Sequence, residues 1–437
     1  MTVKAIVGAV KGEKWCQVLT TLMRLVVGGV FVFSGFAKAV DPWGTTYKIT
    51  DYLVAMGLGG WSETSLYIAV VLAAIEFMLG VAIATGIYRR SAPWVALLLL
   101  LVMTPLTLWL AVTGAVPDCG CFGDALHLTS WATLGKNVLL LLGVVYLLLF
   151  NRSLRGIYGP AVQWVVLALS LAMVMAVAYY GYFVQPLIDY RPYPEGTRLV
   201  STTVEDDGGE DEEDFIFIYS KDGMEQEFTI DSLPDEDDGW EYVTRRHARR
   251  PHGKVIMQGA GPSISILDEE ENDVTLSLLG DSHHTLLLLF PDLERVSIES
   301  SYALNELTDA ALVSDTEVYG LTPATRDQIG QWQDVSMASY PIYTMDDSEL
   351  KMIARGNPAV VYLEDGVIRW KRTLSSLGDV EQPVILSELS KGYDADAVMT
   401  GLMVLYLAGL AALLVLNRTH VLLNHLFFKK KRPTTKN

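Results

Sequence analysis

Cys119 and Cys121 are the residues of this chain best suited to chemistry. They flank a single glycine in Pro117-Asp118-Cys119-Gly120-Cys121-Phe122-Gly123-Asp124, and the only other cysteine is Cys16. A Cys-x-Cys pair brings two sulfurs within one turn of chain, and the intervening glycine permits the strained backbone that so small a disulfide ring requires. Strained, accessible disulfides carry higher potentials and exchange readily, which suits an acceptor of electrons from other thiols. Two other uses of the pair compete with this one. Pro117, Gly120 and Gly123 build a turn whose cysteines are a staple or passive thiols. A metal site would enlist Asp118, Asp124 or His127, but one imidazole beside two thiols is thin support for zinc, and no metal is expected.

The elements that must position this loop are apolar. Residues 18–37, 66–88, 94–116, 132–150, 161–184 and 397–416 form apolar runs long enough, or nearly so, to cross a bilayer. The Cys119 loop falls between the third and fourth. Lys136 and Asn137 interrupt the start of the fourth, where Lys136 can snorkel to an interface. Basic residues mark one side of the alternation: Lys4, Lys11 and Lys14; Arg89 and Arg90; Arg152 and Arg155; Arg418 and Lys429-Lys430-Lys431-Arg432. Basic loops stay cytoplasmic, so a bacterial inner-membrane protein is expected, with both termini inside. The 38–65 loop, the Cys119 loop and residues 186–396 are then periplasmic, where disulfides persist. The first run is full length, without a small-residue cleavage site, and reads as a retained span. Cys16 lies on the inner side, across the bilayer from the pair.

The net charge of −18 is the property of one segment. Residues 186–396 carry 44 acidic and 16 basic side chains, a net of −28. Such a surface argues against nucleic acid and against docking on anionic lipid, and it steers toward basic partners. The expected partners are the bilayer and periplasmic or envelope proteins. The organisation read from the chain is a tail at 1–17, a four-helix membrane domain at 18–150, a fifth span at 161–184, an acidic β-rich segment at 189–280, an α+β domain at 281–396, a sixth span at 397–416 and a basic tail at 417–437. Within 189–280, Phe215–Tyr219 and Glu227–Ile230 read as short strands about the turn Lys221-Asp222-Gly223. From Thr285 strands alternate with helices: Thr285–Phe290, Leu293–Leu312, Glu317–Leu321, Arg326–Asp334, Ile342–Thr344 and Asp347–Arg355. A hairpin, Ala359–Leu363 and Val367–Trp370, then turns at Glu364-Asp365-Gly366. Helix, Asn357-Pro358, strand, Asp-Gly turn, strand is the closing half of a thioredoxin-like fold. Its reactive pair would follow the strand Thr285–Phe290, where this chain has Pro291-Asp292-Leu293-Glu294. No cysteine follows Cys121, so this domain can bind but cannot exchange thiols. Pro358, at the position of that fold's cis-proline, and Asn357 beside it mark a candidate partner-binding strand edge.

Residues 20–150 resemble the DoxX/MauE group of four-helix membrane proteins. The resemblance is carried by Arg24-Leu25 with Gly28, Phe33-Ser34-Gly35-Phe36-Ala37-Lys38 followed by Asp41-Pro42, Glu76 with Gly80, Cys119-Gly120-Cys121-Phe122-Gly123, and Lys136-Asn137. An acidic outside domain ending in a cysteine-free thioredoxin-like half is similar to the larger proteins of this group in Bacteroidetes. The resemblance implies a redox-associated role: MauE-type proteins are tied to methylamine-utilisation gene clusters and to the disulfides of an exported enzyme.

Three charged residues inside or beside the spans remain. Glu76 is mid-span, where a charge costs about 2.5–3.5 kcal/mol and a functional role is the default hypothesis. It either forms a structural ion pair with Arg24 or Lys38 or relays a proton to a quinone. Arg24 is explained by snorkelling at the inner end of its span. Lys38, near the cysteine side, is an interface anchor or a group that lowers a thiol pKa. His283 and His284 read as surface residues. Two functions follow: a redox membrane protein working through Cys119 and Cys121, with Glu76 and Lys38 in support, or a non-catalytic anchor whose acidic domain binds envelope proteins. The lone thiol pair favours the second, and the Cys-Gly-Cys in a cysteine-poor chain favours the first.

Overall fold

The computed structural model describes residues 14–116, 120, 122–126, 128–151, 154–199, 202–205, 213–221, 224–228, 240–249, 254–257, 264–279, 284–378, 386–389 and 393–428. Six of its helices are long and apolar enough to cross a membrane. They are α1 (Lys14–Val40), α3 (Ser65–Thr85), α4 (Ala92–Thr113), α5 (Ser130–Phe150), α6 (Gln163–Phe183) and α11 (Ala395–Phe428). Between α1 and α3 lies α2 (Pro42–Ala55), followed by a 3₁₀ turn at Gly59–Thr64. This stretch falls within the expected 38–65 loop. The local code for a helix start is there: Asp41 accepts from the Gly44 N–H, and Pro42 occupies the first turn.

Helices α1 and α3 pack closely against each other. A Cβ at Gly35 would collide with the backbone of Ala73 and Phe77, and one at Gly80 with the backbone of Val32. Small residues let membrane helices approach this closely. Helix α6 packs on both, and α11 leans on α6 through Tyr406, whose hydroxyl is 2.9 Å from Ser170 Oγ. At the far end of the bundle the Tyr158 hydroxyl donates to the Leu410 carbonyl (3.0 Å), and Asn417 accepts from the Gly159 N–H (3.1 Å). Helix α11 has 34 residues and runs on through 421–428. No glycine or proline occurs between Gly409 and Pro433 to stop it.

The C-terminal domain is built on a six-stranded mixed sheet. Its strands and helices are β6 (Ile266–Leu267), α7 (Thr275–Leu279), β7 (His284–Leu289), α8 (Ile298–Val313), β8 (Glu317–Thr322), α9 (Arg326–Ser336), β9 (Ile342–Met345), α10 (Asp347–Ile353), β10 (Ala359–Glu364) and β11 (Val367–Thr373). The order is β11-β10-β7-β8-β9-β6, with β7, β8 and β9 parallel and the remaining pairs antiparallel. Strand β7 is central, and Leu286–Leu289 are wholly buried. Alternate residues feed two cores. Leu286 and Leu288 meet Leu304, Leu307 and Trp332 of α8 and α9, while Leu287 and Leu289 meet Tyr193, Leu350 and Ile353. That is why the strand reads as an unbroken apolar run. The expected hairpin is present, with Asp365 and Gly366 both at positive φ, as its two-residue turn requires. The Asn357–Pro358 peptide is cis. Strand β10, however, is hydrogen-bonded on both sides, by β7 and β11. The strand after Pro358 therefore offers no free edge, and an edge-pairing surface there is ruled out.

Ahead of this sheet, β2 (Glu213–Lys221) pairs with β3 (Met224–Phe228), which starts three residues before the expected strand Glu227–Ile230, whose last two residues lie outside the described residues, and also with β4 (Glu241–Arg249). Strands β1 (Thr202–Glu205) and β5 (Lys254–Met257) form a separate antiparallel pair.

Candidate functional site

Lys38 sits in the last turn of α1 and Glu76 in the middle of α3. The close approach of those helices brings Lys38 Nζ to 2.7 Å from Glu76 Oε2, with both side chains over nine-tenths buried. Ser34, one turn earlier on α1, accepts from Lys38 Nζ at 2.8 Å. Of the two partners expected for Glu76, the structure selects Lys38. Arg24 goes elsewhere: it donates to Asn151 Oδ1 and to the carbonyls of Asn151 (2.8 Å) and Leu154 (3.2 Å). It is only 5% exposed, so snorkelling is not its role; it satisfies carbonyls left open beyond the end of α5.

The ion pair lines a cavity of about 220 Å³ between α1 and α5. Its walls are apolar (Phe31, Leu72, Leu100, Met103, Leu140), with Lys48, Lys136, Asn137 and Thr107 at polar points. Gly120 also lines it. Cys119, Cys121, Asp118 and His127 lie outside the described residues, but the glycine between the cysteines is placed. It has φ +53°, and a Cβ there would meet Lys48 Cγ at 2.9 Å, so no other residue type fits without strain. The residue after Cys121 is anchored as well. The Phe122 ring packs on Phe33 (5.2 Å between centroids) and lies 4.1 Å from Lys136 Nζ. Lys136 thus turns to the cysteine loop rather than only to an interface.

On the other side of this loop is a second cleft, of about 440 Å³, between α2, the loop and α10. Lys48 lines both spaces, and Asp124, three residues beyond Cys121, lines the second. Here the sheet domain docks on the bundle. Arg355, just past α10, donates from Nη2 to Asp41 Oδ2 (2.8 Å) and Asp124 Oδ2 (2.5 Å), and from Nε to both Asp41 oxygens (3.0 and 3.1 Å). Gln185, beyond α6, accepts from the Arg355 N–H (3.1 Å) and donates to its carbonyl (2.5 Å). Arg191 Nη2 donates to Gln185 Oε1 (3.2 Å), and its Nε to Asp189 Oδ1 (2.7 Å). Lys371 of β11 closes the chain with a 2.5 Å contact to Asp189. The linker Gln185–Pro192, marked in the sequence only by a change of composition, is a docking element.

The electrostatics follow the geometry. Burial would raise the Asp41 carboxyl, but the charge and hydrogen bonds of Arg355 outweigh it and hold it below the ordinary carboxylate range. Burial likewise opposes the Arg355 charge, yet Asp41 and Asp124 hold its proton more tightly than usual. Asp189, pushed up by burial, is pulled down to about 2 by Arg191 and Lys371. Lys371 is pushed down to about 7 by burial and by Arg191, against the pull of Asp189. Burial raises the Tyr47 hydroxyl, while Lys351 and Arg355 lie over the face of its ring.

Asn357 and Pro358 lie apart from this site. They line a groove of about 480 Å³ with Trp43, Tyr182 and Phe183 from the bundle. Asn357 Nδ2 donates to the Asp292 carbonyl (2.7 Å), and Asn357 Oδ1 accepts from the Asp292 N–H (3.2 Å). The turn after β7 is thereby tied to the residue before Pro358. His284 is part of the sheet, its Nδ1 2.8 Å from the Tyr362 hydroxyl, and His283 lies outside the described residues. Cys16 is buried, with its sulfur 3.9 Å from the Tyr146 hydroxyl. Among the described residues no group of three or more His, Cys, Asp and Glu is placed to hold a metal.

A multi-pass helical membrane protein with a docked mixed-sheet domain is the class these features define. Residues 16–150, which hold α1 to α5, match the family described as methylamine utilisation protein MauE. Residues 214–248, the β2–β4 sheet, match a domain of unknown function, DUF8463. No curated protein matches the chain.

Proposed function

We propose that the protein is a bacterial inner-membrane thiol-redox protein that handles disulfides of periplasmic proteins through Cys119 and Cys121. The observation that carries this reading is the placement of Gly120. Gly120, between the two cysteines, lines the cavity that holds the buried Lys38–Glu76 pair and packs on Lys48, which also lines the cleft beneath the sheet domain. In the reaction a periplasmic dithiol gives two electrons and two protons. Its thiolate attacks the Cys119–Cys121 disulfide, a mixed disulfide forms, and the second substrate thiol resolves it, leaving the pair reduced. The pair is reoxidised by a lipid-soluble quinone, which becomes the quinol with the same two electrons and protons. Lys38 and Glu76 support that step by holding a proton at the cavity wall. Basic residues at the ends of α1, α3, α5 and α11 away from the sheet domain support a cytoplasmic position for both termini. The strand-helix alternation, the strand order and Pro358 support a thioredoxin-like reading of the sheet domain. Its chemistry is replaced by Pro291-Asp292-Leu293-Glu294, so it serves recognition.

Serine substitution tests the reading. Cys119→Ser and Cys121→Ser should each abolish disulfide handling, one should trap a mixed disulfide with a periplasmic protein, and the double variant should be no worse. A fully active double variant leaves the second reading, an anchored binding module. The absence of a second thiol pair from the sequence favours that reading.

A further inference from the structure

We propose that the cavity holding the Lys38–Glu76 pair is a seat for the ring of a lipid-soluble quinone, which enters it from the bilayer beside α3 and is held there by Lys136 and Asn137 of α5. The inference rests on the function proposed above only for the choice of an oxidised ring as occupant; the site stands on its own shape and chemistry. An engineered apolar cavity of about 150 Å³ holds one benzene molecule. At about 220 Å³ this one has room for a single ring with its substituents. Its mouth lies where lining residues are themselves exposed. Met56, one residue past α2, is 42% exposed, and Ile68, in the first turn of α3, is 43% exposed. Their chain neighbours Val54, Leu58, Trp61, Tyr67 and Val71 are exposed as well. Trp and Tyr set among aliphatic side chains mark a membrane interface. A ligand that passes this mouth therefore comes from lipid, and a chain attached to its ring can stay there.

The polar points of the cavity favour a ligand with oxygen acceptors. Lys38 is committed to Glu76 and Ser34. Asn137 is 3% exposed, and its Nδ2 donates to Thr107 Oγ1 (3.2 Å), which uses one of its two amide hydrogens. Lys136, the residue before it, has its Nζ 4.1 Å from the centre of the Phe122 ring, and among the described residues no carboxylate pairs with it. This wall thus offers N–H groups to a ligand oxygen. Ring carbonyls answer that demand while the molecule stays uncharged and soluble in lipid. A plain hydrocarbon leaves the donors unused, and a carboxylate or phosphate must shed its hydration to enter.

The test measures binding, not turnover. The full chain carrying Cys16→Ala, Cys119→Ser and Cys121→Ser is placed in phosphatidylcholine nanodiscs; these are all three cysteines, so no thiol can react with the ring. Saturable binding of a tritiated decyl-substituted benzoquinone is measured, with decylbenzene and decanoate as competitors. One site per chain is expected, displaced by unlabelled quinone and by neither competitor. Lys136→Met should weaken binding about tenfold, as loss of a charged hydrogen-bond donor does. Met103→Trp, which fills the cavity, should abolish saturable binding, and Arg369→Ala, in an exposed ion pair of the sheet domain, should match the parent. An azido form of the quinone keeps the test decisive if Met103→Trp fails to fold: its photolabel should fall on wall residues such as Leu72, Met103 or Leu140. No saturable binding, displacement by either competitor, Lys136→Met within about threefold of the parent, or label confined to the outer surface of the bundle overturns the proposal. Failure of the redox reading shows differently: Cys119→Ser/Cys121→Ser then handles disulfides normally in the cell, while quinone binding in nanodiscs persists.

Discussion

Removing one member of the Lys38–Glu76 pair should cost far more than removing both. The two charges are 2.7 Å apart, over nine-tenths buried, and walled by apolar side chains. At an effective dielectric constant of about 20 their attraction is about 4–6 kcal/mol. In Glu76→Leu the ammonium keeps Ser34 but loses its counter-charge, and in Lys38→Met a carboxylate is left among Phe31, Leu72 and Leu100. Each single variant should lose about 3–5 kcal/mol, because an uncompensated charge remains buried. Lys38→Met with Glu76→Leu removes both charges and should lie within about 1–2 kcal/mol of the parent, or above it. The assay is thermal unfolding of the purified full chain in one detergent at one pH, with the four proteins forming a double-mutant cycle. Disulfide handling is then measured on the stable double variant: retained activity assigns the pair to structure, and lost activity assigns it to the reaction. The reasoning is refuted if each single variant costs less than about 1 kcal/mol, as a hydrated surface pair would, or if the double costs the sum of the singles.

Three further outcomes follow from the packing and the charges. Gly35→Ala forces a Cβ into the backbone of α3 and should destabilise the bundle by about 1–3 kcal/mol, whereas Gly29→Ala, with nothing within 4 Å of the added carbon, should be neutral or stabilising in the same unfolding assay. Asp189 is held at about 2, below its ordinary value, so its stabilising contribution is complete above about pH 4 and is lost as pH falls toward about 2. Acid titration of the full chain should therefore show a steeper loss of stability over that range than Asp189→Asn does, and identical profiles would refute the assignment. Protease added to spheroplasts should cut within the sheet domain; cutting only in inverted vesicles would reverse the proposed orientation.

The features legible in the sequence were those with a local or periodic cause. Six apolar runs gave six helices, Leu286–Leu289 gave the central strand, and Asp365-Gly366 gave a hairpin turn. Glu76 was singled out by the cost of its charge at mid-span, and Lys38 was one of two partners considered for it. The choice between Lys38 and Arg24 turns on the packing of α1 against α3, which depends on Gly35 and Gly80 meeting backbone. Helix α2 was missed although Asp41-Pro42 carries an N-cap and first-turn proline, because the stretch that follows has a weak apolar pattern. Arg355 left no trace, since a contact across 314 residues has no local signature. The edge expected beside Pro358 failed for a related reason: a strand's pattern does not reveal how many neighbours it has.

The most direct test of the account is the redox state of Cys119 and Cys121 in intact membranes, trapped by thiol labelling in a Cys16→Ala chain. The pair should be oxidised at rest, become reduced when a periplasmic dithiol is supplied, and return to the oxidised form on addition of a quinone. A pair that stays in one state through all three conditions is a staple or two idle thiols, and the redox function proposed here would then be wrong.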